Sequence, residues 1–291
     1  MLNEKVSILI VNWNNKDVIL ECLESIEKEG YISSTYVVDC ASKDKSVKMI
    51  KEEYPQVKIL RLKEDLGYGG GNNHGILYLL KKKMEYIFIL NPDTVIRKGA
   101  IDKLLDYMEK RENVGITGPK ILSDDGTIWS AGGIIDKKRF SGGLIGIADR
   151  VLTHYDEVSE PGFISGTAMM VRASVFEKAG LFGKDFFMYY EDVDLCLRVK
   201  EKGFKLVYVP QAVIIHKESS SYGRNSPAQQ YYMARNHLFF IQRNAPFSVR
   251  FRETFRLAKT LTEHLKKGEF FAVLGILDFY QGRLGRRDYW R

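Results

Sequence analysis

The feature that most constrains this chain is a regular alternation, from residue 5 to about 118, between short apolar runs and amphipathic stretches. The runs are Val6–Val11, Thr35–Asp39, Val57–Leu62, Tyr86–Leu90 and Val114–Thr117. Apolar segments of this length read as buried strands. Between them lie Val18–Lys28, Ser46–Tyr54, Asn73–Lys83 and Ala100–Arg111. In the first of these, Ile19, Cys22, Leu23 and Ile26 recur at helical spacing, and Lys43-Asp44-Lys45-Ser46 supplies a cap for the second. Strand and helix in strict turn predict an α/β fold, a mostly parallel Rossmann-like sheet with helices on both faces.

From about 119 to 165 the pattern loosens, and the glycine pairs Gly132-Gly133 and Gly142-Gly143 read as hairpins and loops. Order returns with an apolar strand over Gly162–Val171, a helix from Ala173, a loop through Phe186–Met188 and a helix over Glu191–Lys202. Lys205–Val209 and Ala212–Ile215 read as short strands ending at His216, and the chain from about 227 reads as helical and rich in aromatics. With 291 residues, 45% hydrophobic and 28% charged, the chain has the makings of a globular protein with a large core.

Charge and cysteine usage bound where such a chain works. The formal net charge is +7, and Arg243–Arg291 holds eleven of the basic residues against five acidic ones, so the excess is local to the tail. Cys22, Cys40 and Cys196 are far apart and lack CxxC spacing, as expected of reduced thiols in a cytoplasmic setting. The apolar Val6–Val11 is too short for a secretory leader, and no run reaches the roughly 20 apolar residues of a membrane span. The tail segment Phe270–Leu277 lies among arginines and lysines. It reads either as the apolar face of a helix peripheral to an anionic membrane, at the inner face of the cell membrane, or as a helix packed back on the body. The basic residues lack a recognisable nucleic-acid-binding motif, so no nucleic-acid partner is expected.

The chemistry concentrates at strand ends. Asn91-Pro92-Asp93 follows the run Tyr86–Leu90 directly. Pro92 stops the ladder, which leaves Asp93 at the carboxyl edge of the sheet, where open α/β folds build ligand crevices. A carboxylate there is suited to hold a hard divalent cation against a diphosphate. Asn12 and Asp39 end neighbouring strands. Together they suit the amide-like edge of a pyrimidine base; alternatively Asn12 caps a helix and Asp39 satisfies a turn. The loop Gly67–Gly75 fails the GxGxxG pattern, because Asn72 and His74 stand where glycine is required. Its glycines either let backbone approach a ligand, with Asn72 and Asn73 opening the next helix, or serve a structural loop. Further on, Tyr189-Tyr190-Glu191-Asp192-Val193-Asp194 places three carboxylates at a helix start, which by itself also suits the helix dipole, with Asp194 as a capping or supporting group.

Taken in order, Val11-Asn12-Trp13-Asn14, Val38-Asp39, Gly67–Gly75, Asn91-Pro92-Asp93, Phe163–Arg172 and Phe187–Arg198 resemble the family 2 glycosyltransferases of GT-A fold, in particular rhamnosyltransferase-like members with an NPD motif. The resemblance implies a GT-A domain over 1–243, with a nucleotide-binding half at about 1–118 and an acceptor half at about 119–243, followed by a basic helical tail over 244–291. It implies a nucleotide diphosphate sugar (dTDP, UDP or GDP) as donor, bound by Asn12, Asp39, Gly67, Asn73 and Asp93. Mg²⁺ or Mn²⁺ would sit on Asp93 and His216, the sugar pocket at Gly166 and Glu191, and the catalytic base at Asp192. The acceptor would be a cell-surface glycan or a lipid-linked one. Cys40 and Ala41 stand where the family has Asn-Gly, and Asn91 replaces the first Asp of a strict DxD.

One metal carboxylate and one base suffice for such a transfer. A cation neutralises the departing diphosphate, and a positioned carboxylate takes the proton of the attacking hydroxyl. A base on the face opposite the leaving group gives inversion. A sugar nucleotidyltransferase would need a Gly- and Arg-rich loop after the first strand, where this chain has Asn12-Trp13-Asn14-Asn15. The alternative of another class is a catalytically silent glycan-binding or scaffold protein that kept the fold.

Overall fold

A computed structural model describes residues 5–217 and 225–290. The first half follows the alternation: β1 (Val6–Asn12), α1 (Ile19–Lys28), β2 (Thr35–Asp39), α2 (Ser46–Glu53), β3 (Lys58–Arg61), α3 (Gly67–Lys81), β4 (Tyr86–Leu90), β5 (Thr94–Ile96), α4 (Ala100–Glu109) and β6 (Val114–Ser123). Short strands β7 (Ile128–Ser130), β8 (Gly133–Ile135) and β9 (Gly142–Leu144) follow. Then come β10 (Ala168–Arg172), α5 (Ala173–Ala179), α6 (Glu191–Glu201), β11 (Lys205–His216) and three helices, α7 (Pro227–Asn244), α8 (Phe247–Lys266) and α9 (Phe270–Tyr280).

The main sheet runs in the order β3-β2-β1-β4-β10-β6-β11-β5, with β7 paired to β6; β8 and β9 form a separate hairpin. Strands β1 to β4 pair in parallel, whereas β10 runs antiparallel between β4 and β6. Successive residues of a buried strand face opposite layers. Ile8 and Ile10 of β1 therefore join a core beneath α1 and α4, while Leu9 joins a second core with Ile76 and Leu79 of α3. Helices thus cover both faces, as the alternation requires.

Two local expectations are corrected, and a third is narrowed to one residue. The glycines of 67–75 lie inside α3, which begins at Gly67. They are needed there because a Cβ on Gly71 would stand 2.8 Å from Val11 Cγ1, and one on Gly75 would stand 2.3 Å from Leu9 Cδ1. Their absence of side chain lets α3 settle directly on β1. The two strands expected over 205–215 are one strand, β11, bulged between Val209 and Val213 so that it passes Pro210 without losing its partner β6. At α2 the capping group is Asp44, whose Oδ1 accepts from the Ser46 amide at 3.1 Å. All three cysteines are free and buried.

The tail folds back. α9 lies against α7 so closely that a Cβ on Gly275 would meet the Tyr231 carbonyl oxygen at 2.3 Å. Asp278, 1% exposed, accepts hydrogen bonds from Tyr231 (2.6 Å) and Tyr289 (2.8 Å). Arg286 reaches the Asp65 carbonyl at 3.1 Å, in the turn ahead of α3.

Candidate active site

The site begins where β4 stops. Pro92 cannot extend the ladder, and Thr94 Oγ1 donates to the Asn91 carbonyl at 2.7 Å, closing a tight turn around Asp93. β5 then pairs antiparallel with the end of β11, setting His216 opposite Thr94. That register brings His216 Nε2 to 3.2 Å from Asp93 Oδ1, with both side chains buried. Asp93 Oδ1 is nevertheless without a hydrogen-bond partner, and so is Nδ1, the ring nitrogen of His216 that is not the one paired with Asp93. Buried polar atoms are rarely left so, and two ligand atoms held close but misaligned for a mutual hydrogen bond fit a shared cation. Among the described residues no cluster of three His, Cys, Asp or Glu side chains converges, so the protein here offers a two-sided grip. Trp129 packs edge-on to the His216 ring at 4.6 Å and fixes its plane.

The same turn is tied to the next acidic cluster by backbone. The Asn91 amide donates to the Thr167 carbonyl at 2.9 Å, which anchors Ser165-Gly166-Thr167 beside the end of β4. One residue along, the Gly166 amide donates to Asp192 Oδ2 at 2.8 Å, while Asp192 Oδ1 accepts from the Val193 amide at 2.8 Å. Both oxygens of Asp192 are thereby oriented at the first turn of α6. Burial raises its carboxyl pKa and these amide donors oppose the rise. Glu191, 4% exposed, is pushed well above the usual range, by burial first and by the Asp192 charge second, and its Oε2 has no partner. Two adjacent carboxyls in unlike settings divide the roles of proton holder and anion.

The loop that delivers this pair is strained. Phe187, Tyr189 and Tyr190 all take positive φ (67°, 66° and 73°), a costly conformation for bulky residues. The buried Asn236 of α7 holds it: its Nδ2 donates to the carbonyls of Phe186 (2.8 Å), Met188 (2.6 Å) and Tyr189 (3.0 Å). The fully buried Arg235 adds a bond to Phe186 (2.9 Å) and lies over the rings of Tyr231 and Tyr232.

A cavity of about 450 Å³ gathers these groups, the size of an ordinary small-molecule site. Gly67, Asp93, Gly166, Glu191, Asp192 and His216 all line it. Asn12, Asp39 and Asn73 do not. Asn12 Nδ2 donates to Asp39 Oδ1 (3.1 Å) and to Ser46 Oγ (3.0 Å), and both Asn12 and Asp39 are fully buried. Their polar atoms knit the ends of β1 and β2 to α2, while their neighbours Val11, Trp13 and Cys40 reach the cavity. Asn73 spends both ends of its amide on the backbone of Phe182, each at 2.9 Å. Trp13, Tyr68, Trp129 and Tyr189 also line the cavity and were given no role from sequence. Nor were Arg235 and Asn236, for which an adjacent Arg-Asn pair within an aromatic helix was the available signal.

A sheet with helices on both faces thus carries an acidic strand-end turn and an acidic helix start in one cleft. The family described as "Glycosyltransferase like family 2" matches residues 3–235, and the chain belongs to it. It is a glycosyltransferase of GT-A fold. Its relatives include the N-acetylglucosaminyl-diphospho-decaprenol L-rhamnosyltransferase of Mycobacterium tuberculosis, 29% identical over 80% of this chain and 82% of that protein. The dTDP-rhamnosyl transferase RfbF of Shigella flexneri is 27% identical over 99% of both chains. Among solved structures, the mannosyltransferase PcManGT of Pyrobaculum calidifontis, in complex with GDP-Man and Mn²⁺, superposes with a TM-score of 0.57 at 13% identity over 96% of this chain and 88% of that one. GalNAc-T7 with UDP, GalNAc and Mn²⁺ gives 0.63 at 16% identity over 81% and 48%. At such identities the structural likeness establishes the fold.

Proposed function

We propose that this protein transfers a sugar, rhamnose being the first candidate, from a nucleotide diphosphate donor to a hydroxyl of a cell-surface or lipid-linked glycan, with inversion. The observation that carries this reading is that Asp93 and Asp192, remote in sequence, line one cavity. Asp93 and His216 would hold Mg²⁺ or Mn²⁺, which when bound neutralises the diphosphate as it leaves. A carboxylate with one imidazole suits Mn²⁺ at least as well as Mg²⁺. Asp192 accepts the proton of the incoming hydroxyl; its raised pKa makes it a stronger base than an ordinary aspartate, and the Gly166 and Val193 amides fix its aim. A neutral Glu191 lets the pair hold a single negative charge, and its proton is available to a sugar hydroxyl. The relatives named as rhamnosyltransferases support the choice of sugar, and the one named for a diphospho-decaprenol substrate supports a lipid-linked acceptor. Such an acceptor places the work at the cytoplasmic face of a membrane, which no helix among the described residues is long and apolar enough to cross.

Thermal-shift measurements across dTDP-, UDP- and GDP-sugars, with and without Mn²⁺, test the donor half of this reading. At ligand about 100-fold above Kd, binding stabilises by about 2.7 kcal/mol. A metal-dependent shift with one nucleotide, lost in Asp93→Ala, is expected; equal shifts with and without metal would contradict it.

A further inference from the structure

Of the two readings the sequence leaves for Phe270–Leu277, packing on the body describes Ala272, Gly275 and Ile276, which α9 turns inward together with Asp278. α9 leaves Phe270, Leu277 and Tyr280 exposed, and α8 leaves a longer aromatic stripe uncovered. This helix buries Val249, and Phe247, Phe251 and Phe255 stand 72%, 55% and 72% exposed. Spaced four residues apart, they form one stripe, with ring centroids 6.0 Å and then 4.8 Å apart. Leu265 extends the stripe at the far end.

Cations frame it. α8 carries five Arg and Lys against two Glu, and Arg250, Arg252, Lys259 and Lys266 are exposed. A second basic element, remote in sequence, adjoins it: the exposed Lys137-Lys138-Arg139 in the turn between β8 and β9. Arg252 donates to the Lys138 carbonyl, and His237 Nε2 of α7 lies 3.2 Å from the Arg139 carbonyl. Like charges gathered from two separate elements around a solvated aromatic stripe repel one another within the monomer, and the Lys259–Glu263 pair at 3.8 Å offsets only part of that. They match a surface that is negative at its edge and apolar beneath, which is the profile of an anionic bilayer. A second copy of this basic face supplies no such matching charge. The hairpin also ties this face to the active cavity, since Gly142, Gly143 and Leu144 of β9 line it.

We propose that α8 and the Lys137–Arg139 turn form the face on which the protein docks to anionic phospholipid, with α8 in the headgroup plane and Phe247, Phe251 and Phe255 inserted. Its purpose rests on the reading of a lipid-linked acceptor; the binding itself does not. Flotation of the full chain with vesicles of phosphatidylcholine, alone or mixed with phosphatidylglycerol, tests it. Wild type is expected to float with the mixed vesicles only and to be released by high salt. Phe247→Ser/Phe251→Ser/Phe255→Ser is expected to cut the bound fraction by about ten-fold or more, and Lys137→Glu/Lys138→Glu to erase the preference for phosphatidylglycerol. Both variants should keep the wild-type melting curve and the metal-dependent nucleotide shift, which reports on the active cavity separately. Failure of wild type to float, or equal flotation of the triple-Phe variant, overturns the proposal. So does a wild-type dimer in light scattering that the triple-Phe variant dissolves without any vesicle binding, which would assign the stripe to a second copy of the chain.

Discussion

Glu191 and Asp192 are neighbours in sequence, yet their surroundings separate them. Glu191 has burial and the Asp192 charge against its ionisation and an unpartnered Oε2, while Asp192 has two backbone amides to stabilise the anion. A carboxyl whose folded pKa is raised contributes stability below its unfolded pKa and loses it as pH rises through the folded value. Glu191→Gln removes that loss. The variant is therefore expected to melt above wild type near neutral pH, with the gap closing as pH falls through the ordinary carboxylate range, as followed by calorimetry. A gap independent of pH would mean that Glu191 ionises normally. Asp192 works as a base only when ionised, so the acid limb of kcat against pH should lie above the ~3.9 of a free aspartate. A limb at the ordinary value would detach the rate from this buried carboxyl.

At the scale of elements, α3 shows how packing overrides propensity. Alanine favours a helix over glycine by about 1 kcal/mol, but at position 75 its Cβ would stand 2.3 Å from Leu9 Cδ1 and 3.0 Å from Val38 Cγ2. Gly75→Ala is expected to destabilise by about 1–3 kcal/mol in urea unfolding; a more stable variant would show that α3 has room to move off β1. The same glycines hid the start of α3 from the sequence, because a glycine-rich stretch reads as loop until its neighbours are known. Strands β1, β2 and β4 were legible because both their faces are buried, which writes an unbroken apolar run. β5 was not, since three residues are too few for periodicity and its pairing with β11 is set by distant chain. That unread strand is what joins Asp93 to His216. Asp93 could be placed at a strand end from its neighbours, whereas Asp192 stood apart from the other carboxylates of its helix start only through the family resemblance. The Arg235-Asn236 clamp on the loop before α6 was not legible, because its partners are backbone carbonyls, which an Arg-Asn pair in an aromatic helix does not by itself reveal. Asn12 and Asp39 were read as ligand-facing from their strand-end positions, but such positions do not reveal that each is the other's partner.

For the molecule as a whole, the tail is part of the body that positions the site. α9 locks onto α7 through Asp278, and α7 holds the Phe187–Tyr190 loop through Asn236. Asp278→Ala strands the buried Tyr231 hydroxyl and is expected to lower stability by about 1–3 kcal/mol, read as a drop in Tm. An unchanged Tm would show the tail to be an ornament on the fold. The central claim is that the cavity joins a donor-gripping carboxylate to a base, and Asp192→Asn tests it most directly, since it keeps the shape and removes the negative charge. Sugar transfer and donor affinity should be measured side by side in that variant. Transfer is predicted to fall by about 10²–10⁴-fold with the donor Kd within a few-fold of wild type. Transfer at near-normal rate in Asp192→Asn would contradict the account.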